Sequence, residues 1–154
     1  MVRLGPETIK ICYSRPSVRG RVVFGGELVP YDTLWRTGAN DPTIIHLPIT
    51  AELAGLKLEP GKYSLYTVPG KTAWTVVVNR SITQGGSTRD EGQFKSDYTA
   101  EVRAQEVGRA KVPTDAMSES MEKFTIRSES TGAAAAELIL EWEKARVRIP
   151  VRKP

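Results

Sequence analysis

Apolar and polar residues alternate along most of this chain, and a period of two belongs to a strand with one face buried. Near the end, Val147, Ile149 and Val151 interleave with Arg146, Arg148 and Arg152. That predicts a half-buried strand with its basic set facing out. Residues 98–105 repeat the pattern, with Tyr98, Ala100, Val102 and Ala104 set against Thr99, Glu101, Arg103 and Gln105. Ile9, Ile11 and Tyr13 form another inward set against Thr8, Lys10 and Cys12, and Phe124 and Ile126 do so within residues 121–128. Thr43, Ile44, Ile45, His46 and Leu47 read as a further strand. The clearest local unit is residues 62–79, where KYSLYTV and TAWTVVVN flank Pro69, Gly70 and Lys71. β-Branched and aromatic residues suit a pleated surface and Pro-Gly supplies the dihedrals of a tight reversal, so a β-hairpin is predicted. Glu59, Pro60 and Gly61 mark a second turn, after a short segment at 56–58.

Residues 132–145 (GAAAAELILEWEKA) admit two readings. Strong helix formers, with Leu138 and Trp142 one turn apart, favour a helix. Leu138, Leu140 and Trp142 also alternate with Glu137, Ile139, Glu141 and Glu143, and a partner strand follows at once. Strand is preferred, because pairing overrides propensity. Two stretches keep no period. Residues 80–96, with Gly85, Gly86, Asp90, Glu91 and Gly92, read as a long surface loop. Residues 25–42 are irregular yet hold the bulky Tyr31, Leu34, Trp35 and Arg36. No internal repeat is present. The expectation is an all-β fold: a single-domain antiparallel β-sandwich over residues 1–154, of about 8–10 short strands with little helix.

Composition acts mainly by exclusion. With 154 residues, 40% of them apolar and 26% charged, one domain can bury roughly 70% of its unfolded surface without staples. No apolar run approaches the roughly 20 residues of a membrane-crossing helix, so no membrane span is expected. Residues 1–10 lack the apolar core of a secretory signal, but a chain trimmed of its leader would look the same. The compartment is therefore left open. One cysteine, Cys12, and one histidine, His46, exclude a disulfide framework and a zinc site built from several such residues. Neither metal nor cofactor is expected. Cys12, inside a predicted strand, reads as a packed small hydrophobe.

The 22 basic residues exceed the 18 acidic ones only mildly, but they are clustered. Arg15, Arg19, Arg21 and Arg36 crowd the first quarter, and Lys144, Arg146, Arg148, Arg152 and Lys153 crowd the end. No aromatic side chains interleave the terminal ladder, so a nucleic-acid partner is not expected. Gly70, Lys71 and Thr72 resemble the end of a phosphate-binding loop, yet Leu65 stands at the required earlier glycine and a strand follows. That motif is set aside as a hairpin turn. Asn79, Arg80 and Ser81 fit a glycosylation sequon, which carries no weight without a secretory route.

The run YSRPSVRGRVVFGGELVPYDTLWRTGANDPTIIHL, followed by LEPGKYSLYTVPGKTAWTVVVN, resembles the bacterial family catalogued as domain of unknown function 2911. The resemblance is strong over residues 9–79 and weak at the strands of Phe124 and Leu138. It implies an all-β domain, often in exported or envelope proteins, and no assigned activity. Asp41 stands where the family pattern has Glu, and His46 where Thr or an apolar residue is usual.

The richest chemistry lies in Tyr13, Ser14 and Arg15 together with Trp35, Arg36, Thr37 and Asn40. Arginine offers a rigid fork of donors to a carboxylate or phosphate, asparagine donates and accepts, and tryptophan presents a flat apolar face. Pro16, Gly38 and Ala39 leave room for close approach. One reading is a site for a small polar or anionic ligand such as a carboxylate, phosphate or sugar acid. A second makes the same pocket a metal-independent lyase or isomerase, with Tyr13 or His46 as acid or base, Asp41 or Glu27 as partner, and the arginines stabilising an oxyanion. A third is a structural or protein-interaction domain, in which Arg15 and Arg36 pair with Glu27, Asp32 or Asp41 and Trp35 fills the core. Self-association as a homodimer is also left open.

Overall fold

The alternating segments pair antiparallel into a single sheet, described by a computed structural model over residues 1–39, 41–82 and 98–154. Among the described residues it has nine strands: β1 (Val2–Leu4), β2 (Glu7–Cys12), β3 (Thr43–Leu47), β4 (Ala51–Leu53), β5 (Leu56–Leu58), β6 (Gly61–Val68), β7 (Ala73–Asn79), β8 (Glu106–Gly132) and β9 (Ala135–Arg152). Their order across the sheet is β1-β2-β3-β6-β7-β8-β9-β4-β5. The β6–β7 hairpin falls where Pro69 and Gly70 predict it, with Val68 opposite Thr75. A Cβ on Gly70 would lie 2.5 Å from the Ala73 carbonyl oxygen, so only glycine fits that reversal. β4 and β5 are joined by Ala54 and Gly55, both at positive φ (51° and 83°), which matches the right-handed twist of the flanking strands.

β9 reverses within its own length. An extended strand of 18 residues would span roughly 60 Å, yet the Lys153 N–H donates to the Ala134 carbonyl at 3.0 Å. Arg146 likewise reaches Glu141, and Arg148 reaches Glu137. The reversal centres on Glu143, which sits in the left-handed region at φ 55°. β8 follows this bend. It pairs with β7 from Glu106 to Pro113, then with Thr114, Asp115 and Ala116 opposite Val147, Arg146 and Ala145, and after register shifts with the first half of β9 from Thr125 onward. Residues 13–18 then cover the edge of β8: Phe124 N–H donates to Pro16, and Val18 N–H donates to Glu122. Covering the edge removes a row of backbone groups that would otherwise invite pairing with another chain.

One core joins all parts of the sheet, with an aromatic cluster at its centre. Trp35 stacks on Trp142 at 5.8 Å and 17°, and meets Phe24, Trp74 and Phe124 edge-on. Such pairs add about 0.5–1.5 kcal/mol each beyond area burial.

The nearly helix-free antiparallel fold and the strand in residues 132–145 agree with the sequence reading. β8 and β9, however, are long rather than short. Residues 98–105 are not a strand: Ala100–Arg103 is a short helix, α1, because Thr99 caps it by accepting the Val102 N–H at 3.3 Å. Ile139 and Glu141 are buried with Leu138, Leu140 and Trp142, so both faces of β9 are covered there. Cys12 is exposed rather than packed. Of the expected loop at 80–96, residues 83–96 lie outside the described residues.

Candidate functional site

The site begins where the chain leaves the edge of β6. Trp35 exchanges two backbone hydrogen bonds with Thr67, at 2.7 and 2.9 Å, continuing the edge that β3 occupies from Thr43 onward. Thr37 then adopts φ 61°. For a β-branched residue this conformation costs roughly 1–3 kcal/mol and persists only where the surroundings impose it. Here they do. Thr37 Oγ1 donates to the Trp35 carbonyl at 3.3 Å and lies 3.1 Å from Thr67 Oγ1, while the Thr37 carbonyl accepts from Thr43 Oγ1 at 2.6 Å. Gly38 abuts Ser14, whose carbonyl would stand 3.2 Å from an added Cβ. Arg36, next to this turn, is only 3% exposed.

Above this turn lies a cleft of about 230 Å³. Pro16, Ser17, Arg19, Arg21 and Leu28 line it together with Trp35, Arg36, Gly38, Ala39 and Trp142. Trp35 and Trp142 are 1% and 2% exposed, so they floor the cleft and spend their flat faces on the core. Their indole N–H groups donate to Gly38 and Glu122. Arg21 braces its own loop, donating to Val18 at 2.9 Å and Ser17 at 2.6 Å. Arg19, at φ 52°, is anchored through its backbone N–H to the Glu122 carboxylate at 2.9 Å. Three arginines and no acidic residue therefore line this cleft among the described residues. Three other clefts carry both signs: Lys71 and Lys144 with Asp115 and Glu143, Lys111 and Arg148 with Asp115 and Glu137, and Arg127 and Arg146 with Glu119 and Glu141.

Of the residues expected from sequence, Trp35 and Arg36 line the cleft, and Thr37 shapes it from behind. Ser14 supports Gly38 from outside. Tyr13 and Arg15 point elsewhere. The Tyr13 hydroxyl accepts from the Ile126 N–H at 3.1 Å and donates to the Ile126 carbonyl at 3.3 Å. Arg15 donates to Phe124 at 3.1 Å and to Thr125 at 3.0 Å. Both fasten residues 13–18 to β8. Asn40 lies outside the described residues. Arg19 and Arg21 occupy the place foreseen for Arg15, and their only sequence signal was the basic crowding of the first quarter. Leu28 and Trp142 carried none, since only the folded loop and the reversal of β9 bring them here. His46 projects from the exposed face of β3 opposite Lys10 and Lys62, and neither it nor Asp41 nor Glu27 lines the cleft.

Charge is most ordered on β9. Burial alone would raise the Glu141 carboxyl, but hydrogen bonds from Arg127 at 2.9 Å and Arg146 outweigh it and hold the group below its ordinary range. Just before α1, burial pushes the Tyr98 phenol up, and its donation to Glu106 at 2.6 Å adds to the shift. Among the described residues no group of His, Cys, Asp or Glu is placed to hold a metal ion, and no helix is long and apolar enough to cross a membrane.

The sequence profile of the family described as a protein of unknown function (DUF2911) matches residues 1–151. No curated protein and no solved structure matches the chain.

Proposed function

Since the chain belongs to the DUF2911 family, whose description assigns no activity, we propose from the cleft itself that this protein binds a small anionic ligand beside Arg36. The observation that supports this is the single sign of the lining among the described residues: three arginines, one of them 3% exposed, and no acid around about 230 Å³. A guanidinium set in a low-dielectric wall attracts an anion more strongly than one in water, and its planar fork suits a carboxylate or a phosphate. Backbone strain supports the reading too. Arg19, one of five non-glycine residues at positive φ among the described residues, lines this cleft, and Thr37, another of them, stands behind it; such strain gathers where binding geometry is imposed.

The test is thermal melting at fixed ionic strength with sulfate, phosphate, simple carboxylates and uronic acids. A ligand present at 100 times its Kd adds about 2.7 kcal/mol, or roughly 5–10 °C for a domain of this size. That rise is expected for at least one anion, and Arg36→Lys and Arg19→Ala should each reduce it. No rise with any anion, or an undiminished rise in both variants, refutes the proposal.

A further inference from the structure

Met117 and Met121 are half-buried, yet among the described residues they belong neither to the core nor to the apolar side chains packed against it. Methionine ordinarily fills gaps in such cores. Here both side chains instead line a separate cleft of about 710 Å³, together with Ser118, Glu119, Ser120, Arg127, Glu141 and Arg146. β8 arches at this point. It advances five positions from Ala116 to Met121 while β9 advances two, from Ala145 to Glu143, and two extended residues cover only roughly 7 Å. The ends of the arch are therefore held close, within the joint reach of two long, unbranched and flexible side chains. We infer that the arch binds a soft monovalent cation, Cu(I) or its redox-inert counterpart Ag(I), through the Met117 and Met121 sulfurs with the Glu119 carboxylate beside them. Thioether sulfur is soft and uncharged and selects ions of this class, whereas Ca²⁺ or Mg²⁺ would require a set of oxygen donors. A count of His and Cys does not register such a site. The arginines of the cleft do not oppose it: Arg127 pairs with Glu141 and Glu129, and Arg146 pairs with Glu141. Glu119 is exposed and makes no hydrogen bond or ion pair among the described residues. Its charge is left to offset that of the cation.

The test follows the methionine methyl signals in a ¹H–¹³C spectrum of the full chain during titration with silver nitrate in chloride-free buffer. A Cys12→Ser background is used, because the exposed Cys12 thiol would compete for the same ion. N-acetylmethionine in the same tube serves as the reference for a thioether that merely meets solvent. The Met117 and Met121 signals, assigned by their loss in Met117→Leu and Met121→Leu, should shift together and saturate at one Ag(I) per chain while the reference signal stays in place. Each of these variants nearly conserves volume and should weaken Ag(I) by about tenfold or more, the low end of what losing even a supporting group costs a metal site. Glu119→Gln should weaken it severalfold, and Zn(II) should move neither signal. Methionine signals that move no earlier than the reference overturn the inference, and this outcome is read in the parent even where a variant fails to fold. Undiminished Ag(I) binding in either leucine variant overturns it as well. Zn(II) acting as strongly as Ag(I) overturns the choice of a soft ion.

Discussion

Tyr13 shows how one side chain can take the part of a strand. Its hydroxyl both accepts from and donates to the backbone of Ile126, supplying β8 with bonds that a neighbouring strand would otherwise make. Tyr13→Phe keeps the edge-on contact with Phe124 at 5.7 Å but leaves an N–H and a C=O without that partner. A loss of about 1–2 kcal/mol is expected in urea denaturation, with anion binding unchanged because the hydroxyl does not line the cleft. Glu143 acts similarly. Its two carboxylate oxygens accept the N–H groups of Val23 and Phe24 at 3.0 and 3.2 Å. Glu143→Gln retains one acceptor of the two, so about 1–2 kcal/mol of stability should be lost. Hydrogen exchange should quicken at those two amides first.

At the scale of the element, β9 carries the most consequential device. Its reversal brings Arg146 back to Glu141, which Arg127 also grips from β8. The Glu141 carboxyl is held below its ordinary range, so its stabilising contribution is complete above the ordinary glutamate pKa. That contribution disappears as pH falls through the depressed value. Stability measured against pH should therefore drop more steeply on the acid side in the native protein than in Glu141→Gln, where no carboxylate is left to protonate. Equal acid slopes would show that the ion pairs contribute nothing. The same element shows what could be read in advance. Alternation of Leu138, Leu140 and Trp142 correctly outweighed the helical propensity of the alanine run, because a partner strand was adjacent. The burial of Ile139 and Glu141 was not legible, since nothing local announces that a strand will double back. In residues 98–105 alternation misled, because Thr99 supplied a cap that turned the backbone into a helix.

Across the whole molecule, all three tryptophans fall in one aromatic cluster that joins β7, β9 and the loop before β3. Fluorescence and far-ultraviolet circular dichroism should thus report one coincident unfolding transition, and separated midpoints would mean that the long β8–β9 unit unfolds independently. The candidate site follows the same division of legibility. Trp35 and Arg36, conspicuous as bulky and charged groups in an irregular stretch, line the cleft. Arg15 was equally conspicuous, but the Phe124 carbonyl and the Thr125 hydroxyl on β8 claim it, and such long-range partners have no trace in local sequence. The most direct test of the whole account is a ¹⁵N–¹H spectrum of the arginine side chains, with the Arg36 Nε–H signal assigned by its loss in Arg36→Lys. On titration with the anion that most raises the melting temperature, the Arg36 signal should move saturably with a 1:1 dependence while the Arg15 signal stays fixed by its bond to Phe124. An Arg36 signal that does not move, or one that moves no more than that of Arg15, would contradict it.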